Sequence, residues 1–278
     1  MSVRRESWFL KIAVHVMLLA AVSAIVLPVL WTLSSAFKPS GEIFMYPPRI
    51  IPETPTLGNF TKLFKQVPMT TFFLNSAFIS TSTTLLTLFF CSLAGFAFAK
   101  YRFRGDRILF LFGVMGALMV PFQVLLVPLF ALMCKLHLID TYWAVIAPGA
   151  CGAFGVFLMR QFMVGVPNDL IDAARIDGCS EFGIYCRVAL PLVKPALGAL
   201  TIFTFLRSWN GFLWPMIVLS DDGKFTLPLG LAQLIGLYEK EYGVLMAGTI
   251  FAMLPIVVLF LVMQKEFVEG ITIGALKE

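Results

Sequence analysis

Charge is what this sequence has least of. Asp, Glu, Lys and Arg together make up 13% of its 278 residues, about half the share of a typical soluble domain. With 59% hydrophobic residues and a mean hydropathy of +0.89, the chain cannot cover a soluble surface with polar groups, and it reads as an integral membrane protein. Acidic residues are missing altogether from six long apolar runs, and that absence argues against coupling to protons or sodium through buried carboxylates. Cysteine is sparse: there are five, with no CxxC pair, which excludes a disulfide framework and a zinc site. Cys91 and Cys151 fall in apolar runs, Cys134 near a span end, and Cys179 and Cys186 in a polar loop, all as structural thiols. HExxH, GxSxG and GxxxxGK[ST] do not occur, so neither intramembrane catalysis nor ATP hydrolysis is expected of this chain. No catalytic, metal-binding or cofactor-binding residues are assigned. The alternating pattern of a membrane barrel is also lacking, and there is no fixed-period repeat.

The apolar runs lie near 12–36, 71–99, 108–133, 142–164, 192–219 and 244–264. Each has the length of about 20 residues that a helix needs to cross a hydrocarbon core. The expected fold is all-α: six transmembrane helices in a single domain, 1–278. Pro28, Pro121, Pro128, Pro148, Pro195, Pro215 and Pro255 fall within these runs, tolerable where neighbouring helices re-satisfy the freed backbone groups. The first run is too long for a cleavable signal core and is expected to stay as an anchor. His15, alone among its apolar residues, is expected to be packed or hydrogen-bonded.

Lys and Arg set the orientation. They are dense at the N-terminus (Arg4, Arg5, Lys11), in the 100–107 loop (Lys100, Arg102, Arg104, Arg107), around the 165–191 loop (Arg160, Arg175, Arg187, Lys194) and in the tail (Lys265, Lys277). The alternate loops are sparser. This set is therefore expected to be cytoplasmic with both termini, and the net charge of +5 needs no nucleic acid to explain it. Of the outer loops, 37–70 holds Pro39, Pro47, Pro48, Pro52 and Pro55. They forbid a long helix, so an extended loop with a short helix at its end is expected. The other, 220–243, opens on an Asp221-Asp222-Gly223 turn and is then apolar enough to dip toward the membrane.

The cytoplasmic stretch "DLIDAARIDGCSEFGIYCRVALPLVKP", residues 169–195, is the long polar segment of this chain. Asn168 or Asp169 can cap a helix there, with Asp172 three residues on as a capping-box acid. Gly178 ends it, being able to adopt the left-handed conformation, and Ser180-Glu181 restarts a second helix with a cap and a first-turn acid. Leu170 and Ala174 share a face, Ile171 lies beside them, and Ala173 and Ala174 have so little bulk that a partner can approach the backbone. Acids at 169, 172, 177 and 181 and the lack of a Lys-rich face favour a protein partner over lipid headgroups. A catalytic pair among Asp172, Asp177 and Glu181 is rejected, because a short loop offers no pocket to hold one.

Asp172-Ala173-Ala174, then Gly178, then Val188-Ala189-Leu190-Pro191 resembles the EAA loop of ABC importer permeases: Glu-Ala-Ala, three residues, Gly, nine residues, Ile-x-Leu-Pro. The likeness extends over nearly the whole chain, through "SSAFKPSGEIF", "NSAFIS", "FAFAKYRFRG", "FLMRQFMVGVPNDL", "SWNGFLWP" and "QKEFVEGITIGALKE". Together these are similar to the smaller, maltose-type permease of carbohydrate importers. Asp172 departs from the usual Glu, keeping the charge on an arm one methylene shorter. The resemblance implies the type I importer permease fold in a bacterial or archaeal plasma membrane. It implies an ATPase-coupling loop in which Asp172, Ala173, Ala174, Gly178, Leu190 and Pro191 carry the motif. The partners it implies are a second, related permease, a cytoplasmic ABC ATPase dimer that binds the ATP and Mg, an extracytoplasmic solute-binding protein, and membrane lipid.

Arg207 is the basic residue deep in a span, and Asn210 shares its face. A charge there faces a cavity or a neighbouring span. Trp209 can stack on a sugar ring, and Trp214 is expected as an interfacial anchor. Arg207, Trp209 and Asn210 are thus the candidate substrate pathway, with a sugar or sugar-like solute implied by the resemblance. An ion-coupled secondary transporter or channel subunit is the alternative.

Overall fold

The computed structural model describes residues 8–237 and 241–275. Among these there is no strand. The helices are α1 (Trp8–Ala36), α2 (Gly58–Gln66), α3 (Met69–Lys100), α4 (Asp106–Met119), α5 (Phe122–Lys135), α6 (Tyr142–Gly149) and α7 (Ala153–Val164). They continue with α8 (Asn168–Ile176), α9 (Glu181–Leu192), α10 (Lys194–Trp209), α11 (Leu213–Val218), α12 (Leu227–Leu237) and α13 (Tyr242–Ala275).

Four stretches are long and apolar enough to cross a membrane as they stand: Leu10–Ala36, Met69–Lys100, Tyr142–Val164 and Tyr242–Lys265. Two others are interrupted. The run near 108–133 is two helices, α4 and α5, bent by 106° where Val120 turns extended before Pro121, as the residue preceding a proline prefers. The run near 192–219 stops at Trp209 and resumes at Leu213. Its first helix, α10, meets α9 at an 84° bend. Six spans result only if each bent pair counts as one.

The chain divides into two compact units. The first comprises residues 1–69 and 231–253. In it the 37–57 segment is bends and turns, as its prolines require, and closes on α2. Its centre is polar. Lys38, fully buried, donates to the Arg49 carbonyl and lies 4.4 Å from the centroid of Trp31. Asn59 donates from Nδ2 to the carbonyls of Ala36 and Lys38, at 2.8 and 2.7 Å. Most of α1, by contrast, turns apolar side chains outward along its whole length. His15 is exposed there and bonds the Lys11 carbonyl one turn back.

The second unit comprises 70–230 and 254–278. Its organising contact is a ridge of small residues four apart on α3 against glycines at and between α6 and α7. Thr83 lies under Gly149, and Thr87 Oγ1 donates to the Gly149 carbonyl at 2.9 Å. Cys91 sits against Gly155, and Gly95 against the backbone of Met159 and Arg160. Spacing of four residues puts all four on one face, and small residues let helices in a membrane approach closely. Below this ridge, Phe96, Tyr185, Ile184, Ile171 and Ala174 join one buried cluster with Val156, Met159 and Met163.

At the other end of α3, a turn is pinned by one carboxylate. Asp140 Oδ1 accepts from the Ser220 and Asp221 amides at 2.9 and 3.0 Å, and Oδ2 from Lys224 Nζ at 2.8 Å. The Lys224 ammonium, then the two amides, hold the Asp140 carboxyl down from 3.8 to about 2. A depressed carboxyl stabilises the fold above its unfolded value and loses that contribution as pH falls through the folded one. Hydrogen exchange at Ser220 and Asp221 should therefore be protected above pH 3.8 and lose protection on approach to about 2. Asp140→Asn should flatten that pH dependence.

Candidate functional site: the 165–191 loop

The loop folds as two short helices with a sharp turn between them. Pro167, not Asn168 or Asp169, stands at the N-cap of α8, and no side chain caps it. The two residues expected to cap are used differently. Asn168 Oδ1 accepts from Lys100 Nζ at 2.9 Å, and the same ammonium donates to the Val166 carbonyl at 2.5 Å. The end of α3 thus fastens the entry to the loop. Asp172, expected as a capping-box acid, instead accepts from Arg175 at 3.0 Å.

The end of α8 follows its sequence. Gly178 has φ +77°. The Cys179 amide donates back to the Ala174 carbonyl and the Gly178 amide to Arg175, both at 3.0 Å. This is the paired closure that a left-handed glycine makes possible at a helix end. Ser180 then caps α9, its Oγ accepting from the Gly183 amide at 3.1 Å. α9 passes through a π-helical turn at Tyr185–Ala189 before Leu190 and Pro191.

One residue locks the two helices together. Arg175 donates from Nε to Glu181 Oε1 at 2.8 Å and from a second nitrogen to Oε2 at 3.3 Å, besides its bond to Asp172. Tyr101, just past the end of α3, donates its hydroxyl to the same Glu181 carboxylate, and its ring lies 5.8 Å from the guanidinium. Glu181 and then Tyr101 push the Arg175 pKa upward, while burial and the bond to Glu181 push the Tyr101 phenol up. The clamp is charge-assisted and bidentate, which fixes geometry as well as adding energy. From the sequence, Arg175 reads only as an orientation charge. Its spacing of six residues to Glu181 matches no helical pairing and gave no signal.

Burial decides which side of α8 is open. Ile171 and Ala174 are buried against the chain's own core, whereas Asp172 and Ala173 are exposed, with Leu170 44% and Ile176 87% exposed. The small bulk of Ala174 therefore serves packing inside the chain, and close approach from outside is open at Ala173. Phe182, 58% exposed, extends the apolar patch onto α9.

The candidate pathway residues do not stay together. Arg207 and Asn210 are both exposed near the end of α10, next to the break at 210–212. Trp209 is 2% exposed, wedged between Phe73 and Phe205 with ring centroids 5.6 Å away, so it is not available to stack on a sugar. Trp214, expected as an interfacial anchor, is also buried and donates to the Ala144 carbonyl at 2.8 Å.

A family model described as "binding-protein-dependent transport system inner membrane component" matches residues 91–272. The arabinooligosaccharides transport system permease protein AraQ of Halalkalibacterium halodurans is 43% identical over 274 residues, spanning 98% of this chain and 96% of that protein. Its Bacillus subtilis counterpart is 44% identical over 253 residues, 90% of each. In structure, a bacterial ABC transporter involved in import of the acidic polysaccharide alginate superposes with a TM-score of 0.85 at 22% identity, covering 96% of this chain and 99% of that one.

Proposed function

The chain belongs to the family of binding-protein-dependent transport system inner membrane components, and from that premise we propose that it is one half of an ATP-driven importer for a short oligosaccharide. The other half is a related permease. A cytoplasmic ATPase dimer docks on the 165–191 loop, and a solute-binding protein delivers the sugar on the opposite side. The observation that carries this reading is the clamped loop itself. A two-helix unit held by Arg175 and Lys100, with Leu170, Ala173, Ile176 and Phe182 turned outward, can transmit a push without deforming.

Other readings follow from the same assembly. The Lys- and Arg-rich loops and both termini lie in the cytoplasm. Arg207 and Asn210, exposed beside the α10 break, face the solute pathway between the two permeases. The arabinooligosaccharide names of the 43–44% identical relatives support an oligosaccharide as the solute. Hydrolysis of ATP, with its Mg, occurs on the partner, and this chain contributes no catalytic group.

The test is a cross-link combined with uptake. A single cysteine at Ala173, in a background lacking the five native ones, should cross-link to the ATPase in a nucleotide-dependent way and block uptake in proteoliposomes. Uptake by the chain with no ATPase present would sink the proposal.

A further inference from the structure

At the end of α3 a cavity of about 280 Å³ opens beneath the 101–106 turn, lined by Phe98, Arg102, Asp106, Arg107, Phe110, Leu111 and Arg160. Three arginines line it against one carboxylate. Asp106 is already engaged, accepting from the Arg107 amide at 2.7 Å and from Arg102 at a long 3.5 Å. Arg160 is held in place rather than neutralised: its Nε donates to the Phe98 carbonyl at 3.3 Å and its guanidinium lies 4.2 Å from the centroid of Phe110. Among the described residues Arg107 has no ion pair of its own. The cavity is therefore lined with planar donors, of which Arg160 is held in place, in excess of the acceptors supplied by the chain, an arrangement suited to a pair of phosphate oxygens.

The position of the mouth narrows the ligand further. The cavity sits where two membrane-crossing stretches end, Phe98 being in the last turn of one and Arg160 near the end of another. On its α4 side Ile108, Leu109, Leu111 and Phe112 are 66%, 54%, 54% and 78% exposed. Arginines lining the cavity and an apolar strip leading away from its rim match an amphiphile with an anionic head. Basic pockets between helix ends at the cytoplasmic face are known to hold such headgroups. The volume is just below the range of about 300–1,000 Å³ that encloses a whole small ligand, so it suits a headgroup whose tails remain outside.

We propose that the Arg102–Arg107–Arg160 cavity binds a phosphodiester, supplied by the headgroup of an anionic membrane lipid lying along α4. This assignment goes beyond the importer reading.

The probe is a photoactivatable phosphatidylglycerol in phosphatidylcholine nanodiscs that hold the full chain with its partner subunits, with labelled peptides read by mass spectrometry. Labelling should concentrate in residues 105–120 and fall roughly five-fold for each of Arg102→Gln and Arg107→Gln, from the energy of one basic side chain at an anionic surface. Both side chains are exposed, so both variants should fold, and labelling elsewhere in the chain serves as the internal control. If millimolar inorganic phosphate removes the label, the site stands but its ligand is the free ion. Equal labelling of wild type and the double variant, or equal labelling by a photoactivatable phosphatidylcholine, would overturn the proposal.

Discussion

An Ile176→Asp permease is expected to fold and insert normally yet to transport nothing under ATP. Ile176 is 87% exposed at the end of α8, so nothing within the chain is lost when it changes. If this side chain enters a groove of the ATPase, its burial is worth about 1.5–3 kcal/mol. An unpaired carboxylate in the same place adds a desolvation cost. Since about 1.4 kcal/mol is tenfold, affinity for the ATPase should drop by roughly a hundredfold or more. Binding of purified ATPase to the detergent-solubilised permease measures that directly, and uptake in proteoliposomes gives the consequence. Ile171→Asp is the opposite case: that side chain is 2% exposed, so the variant should lose its folded state before coupling can be asked about. Normal uptake by the Ile176 variant would exclude this face as the coupling surface.

Gly95→Val should be among the most destabilising single changes in the second unit. A Cβ at this position would lie 2.7 Å from the Arg160 backbone nitrogen and 2.7 Å from Met159 Cβ. Backbone cannot swing aside as a long side chain can, so α3 and α7 would have to separate, opening the contacts at Cys91 and Thr87 as well. Overpacking of this kind costs about 1–3 kcal/mol and occasionally more. Gly152→Ala is the matched control: it lies at the start of the same α7, and a Cβ there meets nothing within 4 Å. Denaturant titration of the two purified variants should show the midpoint lowered for the first and unchanged for the second.

Much of this was legible in the sequence, and the reasons differ by element. Hydropathy placed the ends of the four continuous spans within a few residues, because length and apolar content are what a bilayer demands. The turn at Gly178 and the cap at Ser180 were readable because each depends on one residue type doing something locally that few others do. What stayed hidden depends on partners distant in sequence. Asn168 looked like a cap, yet Lys100, sixty-eight positions earlier, takes its side chain. Trp209 looked available for stacking, yet the Phe73 and Phe205 rings pack on it. The bend in the third span stayed hidden for a different reason. A proline in an apolar run is compatible with either a kink or a break, and composition does not say which.

The ridge joining α3 to α6 and α7 also says where this molecule can bend. Thr83, Thr87, Cys91 and Gly95 knit those helices at van der Waals range over more than three turns, and the clamp at Lys100 and Tyr101 ties the 165–191 loop to the same plate. If the ATPase pushes at Ile176, these contacts connect that point directly to the plate. Away from this plate, helices of the second unit are interrupted at the Val120–Pro121 corner, the Val193 corner and the gap at 210–212. Stiffening any of these three, rather than loosening the plate, is how such a lever would be jammed.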